Sequence, residues 1–233
     1  DFGHYYAGSM TAMLLADQGA NVIRVIRPGK PELPQQQYRL LNRNKKLLTL
    51  NLKTQDGKVQ ARSLIERADV VIENFRPGVM KRLGVDYANV KNKNPGLVYL
   101  SLPGFASTDK ERAHIQAWEG ILGAAACAFT QTSPIRQALN FPPVYTPVPQ
   151  CSTYGAIHGA TAVMAALLAR QAHGQGTVIE VPLVNAGASA VSLNFAGLAD
   201  VEYPGPSDTL KYSPDDSAAV QMEKLSEAMA AVV

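Results

Sequence analysis

The chain has 233 residues, 46% of them apolar, a formal net charge of +3 and two cysteines, Cys127 and Cys151. That is enough length and apolar content for one large domain, or one and a half. It argues against a disulfide-stapled secreted module, and no uninterrupted apolar run of membrane-helix length and no basic-then-apolar leader is evident. A cytoplasmic protein with no membrane partner is expected. The charge is uneven: residues 1–96 carry 16 Lys and Arg against 8 Asp and Glu, the remainder 6 against 11. A basic half can attract a polyanionic ligand, although a solvated basic surface would have the same composition. Nucleic acid is disfavoured, because the basic residues are not interleaved with aromatics and no reader motif appears. No metal site is expected.

In chain order, Asp1-Phe2-Gly3-His4 reads as a strand end entering a turn, and a natural start upstream of Asp1 is expected. Residues 8–18 have helical apolar spacing and stop at Gly19. Asn21 to Ile26 is a β-branched strand closed by Arg27-Pro28-Gly29. After a polar stretch, residues 47–52 are the next strand, and Thr54-Gln55-Asp56-Gly57 opens a helix reaching about Arg67. A strand over 69–73 runs into Asn74-Phe75-Arg76-Pro77-Gly78, with Pro77 suited to the first position of a short helix. Residues 97–102 form a further strand. In the second half, 116–129 is Ala-rich and helical, 130–150 a Pro-rich loop and 153–172 a long small-residue helix; 178–181 is a strand, with one more helix after it.

Strands alternating with helices indicate an α/β fold, an open parallel sheet with helices on both faces. In such a sheet, ligands bind outside the carboxyl ends of the strands. There the 74–78 loop offers an amide, an aromatic face and a cation, more than a plain connection needs. A dinucleotide site would require three patterned glycines after the first strand and an acid ending the second. The first turn, His4-Tyr5-Tyr6-Ala7-Gly8, has one glycine, and the second strand ends in Ile26-Arg27. NAD is therefore disfavoured; a ligand bearing a further phosphate, NADP or coenzyme A, suits the arginine fork.

Several strings occur together in one order. Leu14-Leu15-Ala16-Asp17-Gln18-Gly19-Ala20-Asn21-Val22-Ile23 is followed by Asn42-Arg43-Asn44-Lys45-Lys46 and Leu50-Asn51-Leu52-Lys53. Ala68 to Gly78 comes next, with Arg82-Leu83-Gly84, Asn94-Pro95-Gly96-Leu97-Val98-Tyr99 and, later, Ala165-Ala166-Leu167-Leu168-Ala169-Arg170 before Gly174-Gln175-Gly176. This set resembles the class III coenzyme A-transferase family, which includes formyl-CoA transferase, carnitine CoA-transferase and α-methylacyl-CoA racemase. The resemblance spans residues 1 to about 195 and implies a Rossmann-like large domain over 1–200, with 201–233 a partly helical tail. Family members run to roughly twice a domain of this size, so the family's second small domain is expected to lie outside this sequence.

The resemblance also implies roles. His4, Tyr6 and Ala7 match the turn that touches coenzyme A, Arg27 and Arg82 match phosphate contacts, and Asn74 and Phe75 match the loop holding the adenine and pantetheine region. The partners it implies are an acyl-CoA and a carboxylic acid, in a homodimer. In the transferases one aspartate before the long helix attacks the acyl thioester as a carboxylate nucleophile. Here that place falls on Cys151 or Ser152, depending on the anchor, and no Asp lies between Asp109 and Asp200. A thiolate at a helix N-terminus is a possible substitute, against the plainer reading of a small buried cysteine. The racemase acid–base pair lacks the same aspartate and has Trp118 where its histidine should stand. The expected function is transfer of CoA between carboxylic acids, with altered or lost catalysis. The alternative is a non-catalytic CoA-binding module or half of a larger fused transferase.

Overall fold

A computed structural model describes residues 1–29, 33–129 and 148–191, together with 217, 219–220 and 223–224. Most of the expected tail over 201–233 and most of the Pro-rich loop lie outside the described residues. The elements are α1 (Ala7–Asp17), β1 (Val22–Ile26), α2 (Gln35–Leu41), β2 (Lys45–Thr49), α3 (Gln55–Ile65), β3 (Val70–Glu73), α4 (Val79–Leu83), α5 (Tyr87–Val90), β4 (Val98–Ser101), α6 (Glu119–Ala125), α7 (Gln150–His173), β5 (Thr177–Glu180) and α8 (Leu183–Ala190).

All strand pairs are parallel: β1 with β2, and β3–β4–β5 in that order. The two groups are joined through the first residues. Asp1 N–H donates to Ile23 O, Val25 N–H to Asp1 O and Phe2 N–H to Ile72 O. Period-two alternation then sorts the strands' side chains onto two faces. Ile72, Val98, Leu100 and Leu102 join Ala12, Leu122, Val163 and Leu183 in one cluster, whereas Val71, Leu97 and Tyr99 join Ala61, Ile65, Met80, Val85 and Val90 in the other. The fold is thus α/β with helices on both faces, α1, α6, α7 and α8 on one side and α3, α4 and α5 on the other.

Several boundaries differ from expectation, and α2 was not expected. β2 runs two to three residues earlier than its apolar string, because pairing puts Val22 opposite Lys45. Its exposed positions are Lys46, Leu47 and Thr49, and buried Leu50 lies just beyond its end. Pro77 does not begin α4. Gly78, at φ 82°, stands between them as the N-cap, a conformation that suits glycine. The Ala-rich stretch narrows to the seven-residue α6. α2 has only Leu41 buried, so the sequence offered little apolar periodicity to find it.

The long helix α7 starts at Gln150 and ends at Gly174, φ 73°. Its small-residue face, Gly155, Ala156, Gly159 and Val163, is buried. A Cβ at Gly159 would meet Leu100 at 3.0 Å and Leu102 at 3.2 Å, so the glycine lets the helix approach β4 closely. Contrary to expectation, α7 is long and apolar enough by composition to cross a membrane. About a third of it is buried, on the face that meets β4.

Candidate functional site at the carboxyl ends of the strands

Two loops meet where β3 ends. The Asn74 side chain accepts from His4 N–H at 2.6 Å and donates to His4 O at 2.9 Å, so one amide closes both backbone groups of a residue 70 positions away. The His4 and Phe75 rings then lie 4.7 Å apart at 60°. Glycine makes the approach possible: a Cβ at Gly8 would come within 2.7 Å of Gly3 Cα and 3.2 Å of Asn74 Oδ1. Tyr5, in the middle of this turn, has φ 52°, a left-handed conformation uncommon for a bulky residue and a form of strain found often at functional sites.

Beneath the turn is a buried charge cluster. The Asp1 carboxylate accepts from Arg24 Nη1 and Lys45 Nζ, each at 3.0 Å, and from Gly3 N–H at 2.8 Å. Lys45 Nζ also donates to Ser9 O at 2.7 Å. Asp1, Arg24 and Lys45 had not been singled out from the sequence, because their pairing joins three separate elements.

His4 also lines a narrow cleft with Ser9, Arg24, Arg27, Tyr38 and Asn42. His4, Arg27, Asn74 and Phe75 are thereby brought to one region. Tyr6 immediately precedes α1 without a capping bond from its side chain, and Ala7 is buried in the apolar cluster of the α1–α7 face. Arg82 stands apart, exposed on α4, with its guanidinium over Gly78. A wider cleft of about 820 Å³ opens at the amino ends of β1 and β3, lined by apolar groups such as Leu15, Leu64, Val163 and Leu167. None of the expected ligand residues lines it, and convergent polar groups rather than width mark a site for a charged ligand.

The second candidate region is the head of α7. Glu119, the first residue of α6, turns its carboxylate onto it: Oε1 accepts from Cys151 N–H at 2.7 Å, and Oε2 from Ser152 Oγ at 2.6 Å and Ser152 N–H at 3.3 Å. An anion at a helix N-terminus satisfies orphan N–H groups and complements the helix dipole. Trp118, just before Glu119, packs edge-on against Tyr5 at 5.4 Å and so links this region to the His4 turn. Glu119 was missed as a contributor; its position beside Trp118 was the available signal.

Cys151 does not have the setting of an activated nucleophile. Its side chain is fully buried, and a Cβ added to Gly187 of α8 would strike its sulfur. Burial, then the Glu119 charge, pushes the thiol up to about 12, so the reactive thiolate is scarce at neutral pH. The helix N-terminus cannot lower it, because the Glu119 carboxylate has taken that end.

CoA-transferase family III matches residues 1–214, and the chain belongs to that family. Over 194 residues it is 42% identical to the CoA-transferase/lyase DddD of Marinomonas sp., an alignment covering 83% of this chain and 23% of that protein. It is 32% identical over 195 residues to the succinyl-CoA–D-citramalate CoA-transferase of Chloroflexus aurantiacus, covering 78% and 46%. Among solved structures, a CaiB/BaiF family protein from Brucella suis superposes with TM-score 0.77 at 25% identity, over 88% of this chain and 57% of that one. A hypothetical protein from Mycobacterium tuberculosis gives TM-score 0.75 at 28% identity, over 88% and 58%. The chain thus spans about half the length of such relatives and about a quarter of DddD.

Proposed function

We propose that this chain binds coenzyme A or an acyl-CoA at the carboxyl ends of β1 and β3, as part of a protein that moves CoA between carboxylic acids. The observation that supports this most is the reciprocal Asn74–His4 pairing. It gathers an imidazole, an amide and a phenyl ring, with Arg27 lining the same cleft as His4. Nucleotide phosphates call for cations with forked donors, and a base calls for a flat apolar face and hydrogen-bonding groups. Tyr6 and Ala7 shape the same turn, and Arg82 would add a phosphate contact from α4.

A second reading has its own support at the head of α7. Cys151 is enclosed with its thiol protonated, Ser152 is held by Glu119, and residues 110–199 contain no aspartate. On that reading residues 1–200 are a CoA-binding domain whose chemistry is supplied by another part of a larger fused transferase. Tyr154, Ile157, Met164 and Leu168 form an exposed apolar stripe along α7, which supports pairing with a second copy in a cytoplasmic homodimer; sedimentation would test it, a monomer at micromolar concentration removing that part.

Calorimetric titration with coenzyme A tests the shared premise, and a silent trace removes both readings. If CoA binds, an assay with short acyl-CoA donors and carboxylate acceptors separates them. Turnover supports the transferase, and binding without turnover the non-catalytic domain.

A further inference from the structure

We propose that Glu73 is the positioning residue of the ligand loop: its buried carboxylate at the end of β3 holds Phe75 N–H and thereby sets the Phe75 ring against His4. This deepens the coenzyme A reading and rests on it for its ligand arm. Glu73 is 6% exposed, one of few charged side chains in the interior. Its Oε2 accepts from Phe75 N–H at 2.7 Å, a short charge-assisted bond within the loop that also carries Asn74. Asn74 fixes the loop to the His4 turn from one side, and Glu73 fixes the next residue from below.

The groups around Glu73 make the carboxylate costly. Strand register lines up Glu73, Ser101 and Glu180 across the carboxyl edge of the sheet. Burial raises the Glu73 pKa above the usual carboxylate range, hydrogen bonds from Ser101 and Phe75 oppose the rise, and the Glu180 charge adds to it. Tyr99 of β4 feels the same charge, its buried phenol raised by burial and then by Glu73 and Asp86. His4 is the titratable group across the loop. Exposed Glu180 is held differently, accepting from Ser107 N–H at 2.9 Å. An acid kept where burial opposes its charge, beside a cluster of ligand-type groups, marks a functional demand rather than a packing solution.

The sign follows from linkage. A carboxylate whose folded pKa exceeds its unfolded value costs stability as pH rises through the folded value, and that cost is absent below the unfolded value near 4.5. Glu73→Gln removes the charge and keeps an acceptor for Phe75 N–H. Its melting temperature should therefore equal or exceed that of the wild type at neutral pH, with the difference vanishing in acid. Its coenzyme A affinity should nonetheless fall, about threefold, and that of Glu73→Ala about tenfold, as expected for weakening and then losing one hydrogen bond to a charged group. Glu180→Gln should leave affinity unchanged. Stability and affinity moving down together in Glu73→Gln, or wild-type affinity in Glu73→Ala, would overturn the proposal. A ligand-free readout separates its failure from that of the coenzyme A reading. The Phe75 amide resonance of the apo protein should titrate with a raised carboxylate pKa and stop doing so in Glu73→Gln; a Phe75 amide that does not titrate in the wild type overturns the positioning role whether or not coenzyme A binds.

Discussion

The His4–Asn74 side of the cleft and the head of α7 are linked by an aromatic contact, Tyr5 on Trp118, yet they are built differently. The first is open, with exposed Arg27 and strained Tyr5 at its rim and backbone groups held by a single side-chain amide. The second is closed: Glu119 takes up the free N–H groups of α7, and Gly187 leaves no spare volume around Cys151. In a family whose chemistry uses a carboxylate before this helix, the carboxylate found here arrives from α6 and is engaged as a cap. The first region gathers groups of ligand type, and the second is filled and capped.

The largest effect is expected from forcing the family's aspartate into the closed side. Cys151→Asp would bury a carboxylate beside Glu119 in a filled space, at a cost of about 3 kcal/mol or more. Urea denaturation reads this directly, and a near-wild-type midpoint would mean that the head of α7 is open after all.

On the ligand side, Asn74→Ala strips partners from both His4 N–H and His4 O, which should cost about 2 kcal/mol. It should also lower coenzyme A affinity at least tenfold, because His4 and Phe75 lose their common anchor. Equal melting temperatures for mutant and wild type would show that the two loops are held by something other than this amide. Glu119→Ala should cost about 1 kcal/mol, as loss of a helix cap does, and leave calorimetric coenzyme A affinity within twofold. If affinity falls in step with stability, the two regions are one site and the contrast between them dissolves. In the same spirit, a maleimide reagent should label half-buried Cys127 well before Cys151, followed by intact mass. The smallest effect on stability belongs to Arg82→Ala, within about 0.5 kcal/mol for an exposed charge; Arg27→Ala is read through affinity. If their guanidinium groups meet phosphate, affinity should weaken several-fold and lose part of its salt dependence; an unchanged salt dependence removes them from the ligand.

Much of the open side was legible in the sequence. Strand ends and the loops after them are local, so the 69–73 strand named the place of Asn74 and Phe75, whereas the close approach at Gly8 became visible only in the structure. Helix α2 escaped because only Leu41 is buried there. The head of α7 was half legible: the replacement of the aspartate is a sequence fact, but the state of Cys151 is not. Its thiol is raised by enclosure against Gly187 and by Glu119, 32 positions away, and neither lies within any local window. Glu73 shows the same limit, since a terminal strand residue looks solvent-bound until the register places it against Ser101 and in line with Glu180.

By itself, then, the sequence determined the α/β alternation, the order of strands along the chain, the family resemblance and the absence of an aspartate between 110 and 199. Those depend on periodicity and on which residues are present. The tertiary structure alone decided which polar groups meet, which carboxylates are buried and which thiol is silenced. Such properties depend on distance and on exclusion of water, and both arise only when elements far apart in the chain pack together.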